Sequence, residues 1–112
     1  MIKRVTAYSL PEGTDPDEFW KYHQEVHAPD FAKLAGPDLK RYVIHRVNKV
    51  IRGEPKFFGF VETWWESEEV MERIARNVAA HKIADGKTVQ EDFFSRITDG
   101  FMVLVDEKVI VP

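Results

Sequence analysis

The spacing of apolar residues changes period along this chain and divides it into strands and helices. "IKRVTAYSL", residues 2–10, is rich in β-branched residues and stops at the turn-forming "PEG", which predicts a first strand. A helix follows. Asp15 can cap it, Pro16 takes the first helical position, and Glu18 falls three residues after the cap. Phe19, Val26, Phe31 and Leu34 recur at intervals that form an apolar stripe, with His23 and His27 on the same side. Pro29 removes the amide that would bond to the Glu25 carbonyl, so the helix is expected to kink or stop near Ala28, and "AGP" at 35–37 ends the element.

"LKRYVIHRV" (39–47) and "KFFGFVETWW" (56–65) read as a hairpin whose connection, "IRGEP", has Gly53 and Pro55 suited to a turn. "SEEVMERIARNVAAHKIA" (67–84) begins with Ser67 as a cap and acids in its first turn, and it places Val70, Ile74 and Val78 on one face. Thr88 and Glu91 have capping-box spacing for a short further helix, and "FMVLVDEKVIV" (101–111) is the last strand with a tail. The order β-α-β-β-α-β is that of an α+β, ferredoxin-like sandwich with one antiparallel sheet and its main helices on one face. "FFGFV" and "FMVLV" are apolar on both alternating faces, whereas a half-solvated strand alternates apolar with polar. Two helices cover one face only, so the other is expected to pack on a second copy, giving a homodimer with the sheets closed into a dimeric α+β barrel.

Composition narrows the partners. The 112 residues suit one domain, 1–112, and no repeat or interdomain linker interrupts them. Charged residues make up 31% and the net charge is −3, with acids and bases interspersed; lacking a basic stripe, the chain is expected to bind neither nucleic acid nor a membrane surface. The N-terminal apolar run is too short for a signal peptide, and no stretch approaches the roughly 18 apolar residues of a membrane span. A cytoplasmic location is expected. The absence of cysteine removes disulfides, thiolate nucleophiles and Cys-based zinc sites.

Histidines and aromatics are what remain for chemistry. "HQEVH" (23–27) is not the His-Glu-x-x-His of zinc proteases, because its acid, Glu25, comes one position too late. His23 and His27 stand four apart, but no third ligand is fixed nearby, so no metal and no other cofactor are expected. Each histidine has a packing role as its alternative to an acid–base role, for which an imidazole titrating near neutrality is suited. His45 lies mid-strand on an undetermined face. His81 follows the second helix, as a C-terminal cap or a pocket residue. Tyr8, Tyr42, Trp64 and Trp65 offer walls and phenol donors for an aromatic or polyketide-like ligand. No phosphate-cradling glycine loop and no Gly-x-Ser-x-Gly elbow occurs.

"EFWKYHQEVHAPDFAKL", "LKRYVIHRV", "ETWWESEEVMERI" and "EDFFSRI" together resemble the EthD-like group of dimeric α+β barrel proteins over nearly the whole chain. In that family the helix usually carries an aromatic, often Trp, four residues before a His that precedes x-Pro. His27 matches this histidine, and His23 stands where the Trp is common. The resemblance implies a ferredoxin-like subunit, a homodimer and a pocket between helices and sheet. The wider superfamily includes lactone isomerases, polyketide cyclases and decarboxylases, cofactorless monooxygenases and haem proteins, and fold alone does not choose among them. In olivetolic acid cyclase a catalytic histidine follows the second helix, a place comparable to that of His81.

The expected function is that of a lyase, isomerase or cyclase acting on a cyclic or polyketide-derived hydrophobic small molecule by cofactor-independent histidine acid–base chemistry. His27, His81 and Tyr42 are the expected catalytic residues; His23, Tyr8, Trp65 and His45 are the expected substrate contacts. The alternatives are a non-catalytic accessory or ligand-binding protein and a haem- or oxygen-using monooxygenase.

Overall fold

The computed structural model describes residues 1–83 and 85–112. Strand β1 (Ile2–Ser9) leads to helix α1 (Pro16–Tyr22), a π-helical turn at His23–His27, helix α2 (Ala28–Ala35) and a 3₁₀ turn at Gly36–Asp38. Then come β2 (Leu39–Arg46), β3 (Gly59–Trp65), α3 (Glu68–Ala79), α4 (Val89–Phe94) and β4 (Thr98–Val105). The strands form one antiparallel sheet in the order β2-β3-β1-β4. This is the α+β ferredoxin-like arrangement.

Local chemistry explains most boundaries. The Asp15 carboxylate accepts from the amides of Asp17 and Glu18 at 2.9 and 3.1 Å, and Ser67 accepts from Val70. Thr88 and Glu91 form a reciprocal capping box, which starts α4 after a loop. Gly36, at φ 71°, closes α2 in a conformation that costs other residues more. Ala84, the last residue of the stretch predicted as the second helix, lies outside the described residues; α3 ends at Ala79.

The predicted kink at Ala28 is replaced by a π turn. The Ala28 amide donates to the His23 carbonyl, five residues back, so the widened turn makes room for Pro29 and the chain continues as helix to Ala35. The buried stripe is therefore Phe19, His23, His27, Phe31 and Ala35, spaced by four throughout. In an ideal α-helix each such step drifts by about 40°, and the wider turn realigns the stripe. Val26, expected on it, is exposed instead.

Alternation in β1 and β3 aims Arg4, Thr6 and Tyr8 of β1, and Val61, Thr63 and Trp65 of β3, at the helices. Two clusters fill that side. Trp65, Phe31, Ile74, Val78 and Val89 form one; Tyr8, Phe19, Val61 and Phe93 form the other. Edge strand β4 is poorly covered on both faces: Phe101, Met102, Val103 and Leu104 are each 41–45% exposed. Across the opposite sheet face runs a polar cluster in which Lys3 and His45 both pair with Glu62. Burial pushes the Glu62 carboxyl up, but Lys3 and His45 together hold it below its ordinary value. Among the described residues no helix is long and apolar enough to cross a membrane.

Gly59 gives β3 its close approach to β2. A Cβ there would press into the His45 carbonyl oxygen, with the Tyr8 hydroxyl also in reach. Gly59→Ala is therefore expected to cost about 1–3 kcal/mol through backbone displacement, read as a lowered denaturation midpoint; an unchanged midpoint would show that β2 yields freely.

Candidate active site

The side chains of the π turn carry the polar interior. His23 is fully buried, and its Nδ1 lies 3.1 Å from the Tyr8 hydroxyl oxygen. Burial pushes the Tyr8 phenol up, with Tyr42 adding to the shift, so Tyr8 keeps its proton. If Tyr8 donates to Nδ1, only the His23 Nε2–H is left without a partner; the opposite arrangement strands both Nε2 and the phenol proton, so the first is favoured. Burial lowers the His23 pKa to about 4, because charging an imidazole in that packing forfeits its hydration.

His27 is 5% exposed and stacks on Phe93, with ring centroids 4.1 Å apart. Its pKa is lowered to about 3: burial contributes most, His23 adds to it, and the Asp92 carboxylate opposes it. The two imidazole centroids are 5.5 Å apart, so a second charge would meet the first. Asp92 accepts from the Tyr22 hydroxyl at 2.7 Å and is held low by Tyr22 and Arg96 against burial, which pushes it up. At pH 7 both histidines are neutral.

His27 lines a narrow cleft between helices and sheet, partly open to solvent and with a volume of about 20 Å³. Its polar walls are Arg4, Thr6, Tyr42, Thr63 and Gln90; Phe31, Val61, Phe93, Phe94 and Met102 supply the apolar ones. Phe31 packs against both expected catalytic rings, 6.2 Å from His27 and 5.5 Å from Tyr42 by centroid. Burial pushes the Tyr42 phenol up, against the opposing effect of Arg4, so it remains a donor.

Of the residues singled out in the sequence, His27 and Tyr42 meet in this cleft. His23 and Tyr8 form the buried pair behind it. Trp65 is core, its Nε1 donating to Thr63 Oγ1 at 2.8 Å, and it borders a second cavity instead. His45 is on the opposite sheet face, 2.6 Å from Glu62, because its strand phase matches Val43 and not Tyr42. His81 is exposed beyond the end of α3 and does not line the cleft. Among the described residues no three of His, Asp and Glu gather into a metal-holding group. Sequence reading missed Arg4, Thr6, Thr63 and Gln90. Arg4 had a signal, since it shares the strand phase of Thr6 and Tyr8.

Residues 11–92 match the EthD domain. The chain belongs to the EthD family. A comparison with curated protein sequences finds no match. Among solved structures it is similar to an EthD family protein of Bacillus halodurans, with 23% identity, 96% of this chain and 99% of that one covered, and a TM-score of 0.68. A dimeric ferredoxin-like protein of Thermobifida fusca aligns with 12% identity over 93% of this chain and 88% of that one, at a TM-score of 0.65. A mutant of SnoaB, a cofactor-independent oxygenase of Streptomyces nogalater, aligns with 13% identity over 99% of this chain and 96% of that one, at a TM-score of 0.63. At these identities the likeness is one of fold.

Proposed function

We propose that this EthD family protein is a small-molecule enzyme that moves protons on a cyclic or polyketide-derived hydrophobic substrate without a bound cofactor. The observation that carries the reading is a neutral imidazole, His27, on the wall of a mostly apolar cleft, with its Nδ1 free of any hydrogen-bond partner among the described residues. An apolar cleft with a few convergent polar groups is the usual form of a small-molecule site. His27 takes a proton from carbon next to a carbonyl, and Tyr42 donates to the oxygen on which charge develops. Eliminations, double-bond shifts and aldol-type ring closures of carbonyl compounds each can begin with such a step. So can a cofactor-independent oxygenation, the activity named for SnoaB. His81 and His45 take no part in this scheme.

The direct test is exchange. A panel of cyclic monoketones and polyketide-like ketones in D₂O should show deuterium uptake at the carbon next to the carbonyl above the rate without protein, followed by NMR and absent with His27→Gln. Ligands that bind with neither exchange nor turnover would support a carrier role.

The unit that acts is a homodimer. The described residues cover the sheet face away from the helices only in part: Phe57 packs on Phe60 and Phe101, yet Phe101 and Val103 stand exposed on it, and a similar fold is dimeric in Thermobifida fusca. Light scattering at micromolar concentration should report roughly twice 13.1 kDa. A clean monomer would return that face to solvent.

A further inference from the structure

Arg4 is unusual in its surroundings. It pairs in register with Thr63 of β3 and Leu104 of β4, on the helix side of the sheet. Among the described residues no carboxylate bridges to it, and its Nε is buried without a hydrogen-bond partner. The guanidinium lies over the Trp65 ring, 5.7 Å from its centroid, which offsets part of the cost of its partial burial. A partly desolvated cation without a counter-charge is still costly, and an apolar side chain would avoid that cost. The guanidinium cannot escape by losing its proton.

A second group with an unmet need stands beside it. Gln90, on α4, has a buried Oε1 with no partner. Arg4 and Gln90 both line the His27 cleft and also a second, small cavity of about 40 Å³, bounded by Trp65, Ala75 and Val78. A cation from the sheet, an acceptor from α4 and the imidazole from the π turn therefore converge on one apolar space. The acceptor is not an ionised carboxylate, so it leaves the charge of Arg4 uncancelled.

We propose that the cleft takes its ligand as a carboxylate, with the acid group on the Arg4 guanidinium and a ligand hydroxyl or N–H donating to Gln90 Oε1. The proposal rests on the reading of this cleft as the substrate site and adds the substrate's charge and its orientation. The planar fork of arginine matches a carboxylate in a two-point bond, and the ring rests at the open part of the narrow cleft, against the exposed apolar side chains of Phe94 and Met102. In that pose the acid end is fixed at β1 and the carbon skeleton extends toward His27.

The test uses the full chain and two probes that differ in charge alone, 3-hydroxybenzoate and 3-hydroxybenzamide, followed by chemical-shift titration. The acid should bind at least about tenfold more tightly than the amide, the scale of one charge-assisted contact. Arg4→Gln should erase that preference, Arg4→Lys should keep part of it, and shifts should centre on β1 and α4. His27→Gln should leave the preference in place, so acid binding without turnover would count against the acid–base reading and not against the anion site. Equal affinity of acid and amide for the wild type, or an undiminished preference in Arg4→Gln, would overturn the proposal. So would inorganic phosphate competing as well as the carboxylate. If Arg4→Gln does not fold, the wild-type comparison and Arg4→Lys decide.

Discussion

Lowering the pH from 8 to 5 is expected to destabilise this protein by about 4 kcal/mol and to lower its thermal midpoint by about 15 °C. The cause is the buried pair His23 and His27, whose pKa values are lowered to about 4 and about 3 from an ordinary 6.5. Below pH 6.5 the unfolded chain takes up a proton on each imidazole while the folded protein does not, so the unfolded state binds more protons and stability falls as pH falls. The contribution is complete above pH 6.5 and is lost on the way down to pH 3–4. Each group loses about 1.4 kcal/mol per pH unit in that window, or about 2 kcal/mol by pH 5. Against a total of roughly 5–15 kcal/mol for a domain this is a large fraction. Glu62 and Asp92, held below 4.5 and 3.8, give up their contributions at lower pH and do not mask the effect. Thermal melts at four pH values give the slope, and histidine NMR should show two rings that do not titrate between pH 5 and 8. His23→Gln should roughly halve the slope. A midpoint constant from pH 8 to pH 5 would mean that water reaches both rings.

The same two histidines mark the limit of what sequence spacing could convey. Their shared face was legible because four-residue spacing keeps neighbours on one side of a helix. Their burial was not, because burial depends on Phe93 arriving from α4 and Tyr8 from β1, contacts made across the chain. Pro29 was read as a kink or stop near Ala28, but the π turn absorbs it and the helix runs on to Ala35, a rearrangement that needs the flanking helices to stay packed. That turn also rotated Val26 outward.

Caps and turns were legible for the opposite reason: Asp15, Ser67 and the Thr88–Glu91 box act within four residues of themselves. Strand faces sat between these cases. Once Tyr8 is assigned inward, alternation places Arg4 inward too, but a charged residue on a core phase reads as an error until the cleft that receives it is seen. For His45 no neighbour of known facing settled the phase, and pairing of Val43 with Glu62 and of His45 with Phe60 puts it on the open face. His81 looked promising by position after the second helix; in the fold α3 ends two residues before it and leaves it in solvent.

Replacing His27 by Gln is expected to lower turnover at least about 100-fold while the protein stays folded, since a positioned general base contributes about 10²- to 10⁴-fold. Glutamine keeps polarity and most of the volume but cannot carry a proton between substrate and solvent. His27→Ala should be as inactive and less stable, because it also opens space beneath Phe93. A base with a pKa of about 3 is weak in the empty cleft, and this shapes the rest of the expectation. Proton transfer creates an imidazolium beside a substrate enolate, and that pair of opposite charges in a desolvated site offsets much of the cost of charging the ring. Tyr42, still protonated, steadies the oxygen. The pH dependence of kcat/KM reports groups of the free enzyme, so it should stay flat on its acid side from pH 7 to about pH 5 instead of breaking near 6.5. An acid limb at 6.5 would place the base elsewhere, on a solvated histidine. Full activity in His27→Gln would make the imidazole a packing group, with Tyr42 then left as the polar ring of the cleft able to act.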